Sequence, residues 1–390
     1  MFRRYWEQLK RSVRKGDMVL LLLCLVATAF GCLVVASTTN YMGMTRYLTV
    51  QIGAAALGVL LYFLVSSIDA ETLSEHRLSL AIFNVLLLLM LIPFGTDNDT
   101  GNKSWLDIPL IPFYIQPAEI CKITYVLIMA SVMSSHQNRI SSVKSVGHMV
   151  LHLGILMGLN LVLSGDFGIS MIFFLLFVAM TFTGGVNLLW FGAAGGGLVL
   201  IGPFIWNNVL NEYHRLRIEV LFNPELDASA TGVRWHTNQS LKSLTGGGML
   251  GQGLFEGNRT QQGELLHAQH TDYIFSAIGE ELGFIGCAAV LVLLGLVVAR
   301  CIWVGTQSQD YLRRMICFGC SAALIFQIII NVGMCLGITP VIGLTLPFIS
   351  YGGSSIVTIY AMLGLVSGVY ARPAPVSHER YIRPPLSTYQ

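Results

Sequence analysis

A chain of 390 residues that is 54% hydrophobic and only 11% charged has too much apolar surface to bury in a soluble domain. The composition therefore excludes a soluble globular protein and predicts an all-α membrane protein, a polytopic bundle of transmembrane helices. The net charge of +2 gives no indication of a nucleic-acid partner.

Successive apolar runs of about 17–25 residues are each long enough to cross the hydrocarbon core as a helix. They predict about ten spans, at residues 18–38, 47–67, 78–94, 116–134, 147–164, 167–184, 186–205, 273–299, 313–337 and 344–370. The break between the fifth and sixth spans is very short, and Asp166 within it is explained as a helix N-cap.

Lysine and arginine residues set the orientation of these spans. Six cations precede the first span, which places the N-terminus in the cytoplasm. With ten spans, most other cations then fall on the same side, and the short outer loops carry only Arg46 and Lys103. The sequence predicts a basic cytoplasmic N-terminus at residues 1–17, a transmembrane domain at residues 18–370 and a cytoplasmic tail at residues 371–390.

A long polar insertion, residues 206–272, separates the seventh and eighth spans and is predicted to be a large extracytoplasmic loop. Connections of this length are usually functional or disordered. The insertion is rich in glycine, arginine and carboxamides, so it indicates chemistry or recognition at the outer membrane surface. Its glycine-rich stretch, residues 246–257, lacks the setting of a nucleotide-binding loop and is interpreted as an adaptable loop.

Several ionisable residues lie in predicted spans, where charge is costly and indicates function. Glu119 and Lys122 are three residues apart and share one helix face. Two interpretations stay open: an ion pair that joins helices, and a polar cavity in which Lys122 meets an anionic lipid headgroup. Further along, Glu280 and Glu281 lie about two helical turns after Asp272, and Glu280 is expected on the face of Asp272.

Asp272 ends the insertion directly before the eighth span, at the boundary between water and lipid. It is interpreted either as a helix cap or as a general base, whose pKa partial burial would raise toward the working pH. No second carboxylate at a clear spacing accompanies it, which favours a transferase over a hydrolase. The polar and aromatic residues expected on the same outer side are Trp105, Lys103, His270, Arg259 and Arg234.

Ordered motifs along almost the whole chain resemble the SEDS (shape, elongation, division and sporulation) proteins of bacteria, the RodA/FtsW/SpoVE group. The motifs are Trp105, Gln116-Pro117-Ala118-Glu119 with Lys122, His270-Thr271-Asp272-Tyr273, Gly279-Glu280-Glu281-Leu282-Gly283, and the run from Pro340 through Ser350 to Ser355. Details such as Leu346-Pro347-Phe348 are most similar to the elongation-type RodA pattern. The chain departs from the family pattern at Leu266-His267-Ala268, where an acidic residue is usual, and at Gly165-Asp166-Phe167-Gly168-Ile169.

The resemblance implies a peptidoglycan glycosyltransferase that polymerises lipid II at the outer face of the bacterial cytoplasmic membrane, in cell elongation and shape. It implies that Asp272 is the catalytic residue and that Trp105 is also needed. It further implies several partners, namely undecaprenyl diphosphate-linked glycan, a class B penicillin-binding protein and other membrane proteins of the elongation complex. Both termini are expected in the cytoplasm.

Under this interpretation Asp272 takes a proton from the acceptor hydroxyl, and the leaving diphosphate needs positive charge. Residues expected to contact substrate are Trp105, Lys103, Glu119, Lys122, Arg234, Arg259, His270, Glu280 and Ser350. A divalent cation such as Mg²⁺ or Mn²⁺ is an alternative source of charge. Two other functions stay open: a lipid II flippase with Glu119 and Lys122 as a gating pair, and a non-catalytic scaffold for a penicillin-binding protein.

Overall fold

The computed structural model describes residues 14–96, 103–108, 114–208, 210, 212–227, 233–262, 265–266 and 268–372. In these ranges, nine helices are long and apolar enough to cross a membrane, and a tenth apolar helix has 17 residues. This confirms the predicted polytopic, all-α class. Of the two predicted terminal segments, residues 1–13 and residues 373–390 lie outside the described ranges.

The main helices follow the predicted spans closely. In chain order they are α1 Met18–Thr38, α2 Met44–Ser67, α3 Arg77–Phe94, α4 Pro117–Ser135, α5 Val143–Ser164, α6 Phe167–Thr183, α7 Leu188–Asn208, α8 Glu212–Phe222, α9 Val233–Gly246, α10 Ile274–Gln307, α11 Tyr311–Cys335 and α12 Gly353–Ala371. Shorter elements are the helix Ala70–Glu75, the 3-10 turns Asn40–Met42, Gln137–Arg139 and Pro224–Asp227, and the antiparallel strands β1 Gly95–Thr96 and β2 Trp105–Leu106.

The centre of the bundle is formed by α4, α11 and α12, whose residues are mostly buried, whereas α3 and α7 are largely exposed. Helix α12 packs most extensively along α2. Glycines permit this close approach, since a Cβ at Gly364 would lie 2.7 Å from the Tyr62 carbonyl oxygen. The exposed faces of α3 and α7 are the ones that the surrounding lipid would cover.

Helix α10 is broken at Gly283, whose φ of 67° and ψ of −164° are accessible mainly to glycine. The Cys287 sulfur lies 3.8 Å from the Phe275 carbonyl oxygen, whereas twelve residues of straight helix would separate them by about 18 Å. The segments before and after the break therefore pack against each other. Residues 274–281 are buried, and exposed apolar surface begins at Phe284, which is 63% exposed.

The glycine-rich loop completes the hydrogen bonding of this broken helix. Peptide groups freed by a helix break are costly in apolar surroundings unless other groups satisfy them. Backbone N–H groups of Gln252 and Gly253 donate to the carbonyls of Glu280 and Glu281, at 2.9 and 3.0 Å. The N–H of Phe284 donates to the Gly248 carbonyl at 2.9 Å. The interpretation of this stretch as an adaptable loop was wrong, because several of its peptide groups form hydrogen bonds with those of α10.

Replacing Gly283 by Ala is expected to destabilise the protein by about 2 kcal/mol or more, since a left-handed φ is strained for alanine. The new Cβ would also lie 2.4 Å from the Gly251 nitrogen. The melting temperature in detergent measures this effect. Gly195→Ala in α7 is the matched control, because nothing lies within 4 Å of a Cβ there. If Gly283→Ala melted at the same temperature as Gly195→Ala and the wild type, this account of the break would be contradicted.

The last span begins later than predicted, because α12 starts at Gly353 and the preceding residues are irregular. The prediction that residues 344–352 are helical was wrong. Gly343 and Phe348 both have left-handed backbones, with φ of 68° and 65°, and Pro347 lies between them. The irregular segment, residues 340–352, instead contacts the end of the insertion, where the Tyr351 N–H donates to the His270 carbonyl at 2.7 Å.

Candidate active site

The backbone of Asp272 is held where the insertion, α11 and the segment 340–352 meet. The Asn331 side-chain amide donates to the Asp272 carbonyl at 2.9 Å and to the Leu344 carbonyl at 2.6 Å. A Cβ at Gly343 would lie 3.6 Å from Asp272 Oδ2. The N-cap residue of α10 is Tyr273 and not Asp272, and the Tyr273 side chain makes no capping hydrogen bond. The alternative interpretation of Asp272 as a helix cap was therefore wrong.

The electrostatic environment of Asp272 suits a general base. Burial raises the pKa of Asp272 from 3.8 to about 6; the Arg217 charge lowers it, and the Asp166 charge adds to the rise. The side chain is partly exposed. At neutral pH the carboxylate is mostly ionised, and it accepts protons more readily than an ordinary aspartate.

Arg217, which sequence reasoning did not identify, lines a small cavity whose charged groups act on Asp272, although Asp272 is not itself among the lining residues. The cavity has a volume of about 30 Å³ and is lined by Asp166, Phe167, Gly168, Arg217, Ile218, Pro340 and Ile342. Arg217 is carried by α8, near the beginning of the insertion, and no spacing in the sequence relates it to Asp272. A space of this size holds about one or two water molecules.

Asp166 is confirmed as the N-cap of α6, since its Oδ1 accepts the Ile169 N–H at 3.0 Å. It also has a place in the cavity, which the cap interpretation did not predict. Its Oδ2 accepts a hydrogen bond from the Gln116 side chain at 3.1 Å. Burial raises the pKa of Asp166, the Ile169 N–H opposes this rise, and the Glu119 charge adds to it. Asp166 thus forms the acidic wall of the cavity.

Glu119 and Lys122 form a buried ion pair, with 2.7 Å between Nζ and Oε1. The Thr358 hydroxyl on α12 donates to the second Glu119 oxygen at 3.3 Å. The described lining of the Asp272 cavity includes neither residue. Of the two interpretations left open by the sequence, the structure favours a structural ion pair: both partners lie on α4, and the Thr358 hydrogen bond to Glu119 links that pair to α12.

His270 and Ser350 position the backbone before Asp272. The Ser350 hydroxyl donates to the Thr271 carbonyl at 2.6 Å and accepts the Leu346 N–H at 2.8 Å. The His270 ring packs against Tyr47 and Tyr351, at centroid distances of 5.2 and 5.7 Å. Both residues therefore fasten the insertion to the segment 340–352.

Of the remaining predicted residues, Trp105, Lys103 and Arg234 do not line the cavity near Asp272. Trp105 is partly buried on β2, opposite Thr96, and Lys103 is exposed just before it. The Arg234 backbone N–H donates to Asp227 at 2.9 Å, at the start of α9.

Glu280 and Arg259 line a second cleft and not the cavity beside Asp272. Eight residues turn a helix by about 80° more than two full turns, which carries Glu280 off the expected face. The structure thus separates these two residues from the other predicted site residues.

Replacing Gly343 by Ala is expected to lower the catalytic rate about tenfold. Alanine is strained at a left-handed φ, and relief of that strain would shift the backbone beside Asp272. A rise of about 1.4 kcal/mol in the activation free energy lowers a rate tenfold. The backbone φ is 68°, and the added methyl would touch Asp272 Oδ2. Gly43→Ala is the matched control, since its φ is 90° and its Cβ would meet nothing within 4 Å. Equal rates for the two variants would show that Gly343 does not position the carboxylate.

The arrangement of helices defines a multi-pass membrane protein, and comparison with known proteins agrees with it. The pattern of the family described as "Cell cycle protein", FtsW/RodA/SpoVE, matches residues 17–373. The chain belongs to this family. The resemblance drawn from its motifs is confirmed.

Relatives named FtsW and MrdB match over most of their length. The chain is 30% identical over 355 residues to peptidoglycan glycosyltransferase MrdB of Escherichia coli K12, covering 91% of this chain and 93% of the relative. It is 32% identical over 365 residues to a probable peptidoglycan glycosyltransferase FtsW of Trichlorobacter lovleyi, with the same two coverages, 91% and 93%.

Two solved structures share the fold. A chain of a peptidoglycan synthase complex that coordinates polymerization and crosslinking matches with a TM-score of 0.76 and 27% identity, over 91% of this chain and 97% of that chain. The rod shape determining protein RodA of Thermus thermophilus matches with a TM-score of 0.65 and 26% identity, over 91% of this chain and 96% of that chain.

Proposed function

We propose that this chain is a peptidoglycan glycosyltransferase that polymerises lipid II at the outer face of the bacterial cytoplasmic membrane, with Asp272 as general base. The observation that carries the proposal is the carboxylate of Asp272 beside Arg217, with its pKa raised to about 6. The names of full-length relatives support the reaction class, since they are peptidoglycan glycosyltransferases.

In the proposed reaction, Asp272 removes the proton from the 4-hydroxyl of the acceptor GlcNAc. The hydroxyl oxygen forms a bond to the anomeric carbon of the donor MurNAc. The bond from that carbon to the diphosphate breaks, and its electron pair leaves with undecaprenyl diphosphate. A single displacement converts the α-linked donor into a β-linked product, so no covalent enzyme intermediate is needed.

Positive charge must meet the leaving diphosphate, and we assign this role to Arg217. Arg217 lines the cavity together with Asp166, and its charge acts on Asp272; a guanidinium also offers a planar, bidentate match to phosphate oxygens. Lys122 is already bound to Glu119, and Arg259 lies in the other cleft. A divalent cation such as Mg²⁺ or Mn²⁺ is a second candidate source of charge, which titration of activity with a chelator and with each metal tests.

The experiment that tests the function is polymerisation of labelled lipid II by purified protein in detergent. The protein is assayed alone and with a class B penicillin-binding protein, a partner supported by the likeness to a chain of a peptidoglycan synthase complex. Ladders of glycan strands from either sample support the proposal. A folded complex that makes no strands, yet moves lipid II across vesicle membranes, would support a flippase. A folded complex that shows neither polymerisation nor transport would support the scaffold function.

Elongation is the proposed cellular role, because the motif Leu346-Pro347-Phe348 is most similar to the RodA pattern. Depletion of the protein should then give rounded cells, whereas filamentous cells would assign it to division. Both termini are proposed to be cytoplasmic because of the distribution of cations. Reporter fusions at each terminus test that orientation.

A further inference from the structure

A second polar cleft opens between α9, the first segment of α10 and the loop before it, with a volume of about 440 Å³. This volume is in the range of small-molecule sites. Together with Arg259, its lining includes Lys242, Thr245, Gln252, Asn258, Gln262 and Glu280. Nothing in the proposed reaction at Asp272 uses these groups.

Glu280 is fully buried and has an unused acceptor at this cleft. Its Oε1 accepts the Arg259 N–H at 2.7 Å. Its Oε2 has no hydrogen bond in the described part of the chain, although the Ser243 hydroxyl and the Thr260 backbone N–H lie close to the carboxylate. A buried carboxylate oxygen without a donor is costly. A ligand that donates a hydrogen bond would remove this cost.

The adjacent Glu281 shows that the open acceptor is particular to Glu280. The Glu281 carboxylate accepts hydrogen bonds from the hydroxyls of Ser37 and Thr260, at 2.6 and 2.8 Å, and from the Gln261 amide at 3.0 Å. Glu281 therefore joins the loop to α1 and has a complete set of donors. Of two consecutive buried glutamates, one is structural and the other faces a cleft.

The chemistry of the cleft matches a peptide-bearing saccharide. Carboxamides and a hydroxyl suit sugar hydroxyls and acetamido groups, and Glu280 accepts from either. Lys242 is exposed at the cleft, where it suits the carboxylates of a stem peptide. Glu280 lies eight residues after Asp272, about 12 Å along a helix. A saccharide chain whose new glycosidic bond forms next to Asp272 has to extend only this far to enter the cleft.

We infer that the Glu280 cleft binds the glycan strand after coupling and holds its peptide-bearing disaccharide units while the next lipid II enters. This inference rests on the proposed function, because that function supplies the strand. Retaining the strand lengthens the polymer, since each dissociation ends its growth. The site is thus a product site, separate from the reacting carboxylate.

Binding of a defined probe tests the cleft independently of turnover. The probe is a peptidoglycan tetrasaccharide with stem peptides and no polyprenyl chain, titrated into Asp272→Ala protein by calorimetry. In the Asp272→Ala protein, a second substitution, Glu280→Gln or Lys242→Ala, is expected to raise the Kd for the tetrasaccharide about tenfold. This is the effect of losing one charged hydrogen bond. Lys144→Ala, an exposed lysine outside the cleft, is the control. Equal affinity in all these proteins would overturn the inference.

Strand length is the second readout, measured in otherwise wild-type protein carrying Lys242→Ala and Gln262→Ala. The strands should become shorter than those of the wild type, whereas Lys144→Ala should leave both the rate and the strand length unchanged. Strands of wild-type length from these variants would overturn the inference. That conclusion would hold even if Asp272→Ala abolished polymerisation, because the proposed function would then stand without the cleft. Failure of the proposed function is distinguishable, because the wild type would then make no strands, whereas the tetrasaccharide titration still reports on the cleft.

Discussion

Replacing Asp272 by Asn is expected to slow lipid II polymerisation by about 10²–10⁴-fold, the usual contribution of a general base. Asparagine has the same shape but cannot take a proton from the acceptor hydroxyl. The fold should be unaffected, because Asn331 and Cys335 contact the backbone carbonyl of Asp272 and not its side chain. Strand formation from labelled lipid II over time measures the rate, and melting in detergent checks the fold.

Asp107→Asn is the matched control for this change. Asp107 is an exposed carboxylate just after β2 and does not line the cavity beside Asp272. Its substitution removes the same charge and should leave the rate unchanged. A folded Asp272→Asn protein with the wild-type rate would remove Asp272 from the mechanism.

Replacing Arg217 by Gln is expected to slow polymerisation by about 10²-fold, because the leaving diphosphate loses a charged donor. The same change should alter the pH profile. A base acts only when deprotonated, so the wild-type rate should fall below a pH of about 6, the pKa of Asp272. Arg217 holds this pKa down, and its loss should therefore move the acid limb to higher pH. Rates measured from pH 5 to 8 report both effects.

Arg215→Gln is the control, since it removes a neighbouring charge on the same helix. Arg215 donates to the backbone carbonyls of Leu210 and Asn207, at 3.0 and 3.3 Å. It should leave the acid limb of the profile in place. If Arg217→Gln kept the wild-type acid limb, Arg217 would not face Asp272 in the active protein.

The membrane spans were predictable because hydropathy is a local property of the chain. Helices α1 to α7 follow the predicted runs within a few residues. The last span was predicted from apolar character alone, which does not distinguish a helix from an apolar irregular segment. Left-handed backbones at Gly343 and Phe348 decided that residues 344–352 are not helical.

The break in α10 shows a second limit of local reasoning. The run from Ile274 to Gln307 is apolar enough to be predicted as a helix. Gly283 permits the break, but the hydrogen bonds that stabilise it come from the Gly248–Gly253 stretch, some thirty residues earlier in the chain. Such partners are visible only once the chain is folded.

By itself, the sequence determined the membrane class and the family, and it predicted about ten helices and a catalytic role for Asp272. Each follows from apolar run length or from motifs contiguous in the chain. Only the tertiary structure decided which groups surround Asp272, because Asp166, Arg217 and Gly343 come from three distant segments. It also separated Glu280 from Asp272 and brought Glu280 to a second cleft. Long-range packing determines electrostatic environment, and for that reason the pKa of Asp272 could not be inferred from spacing.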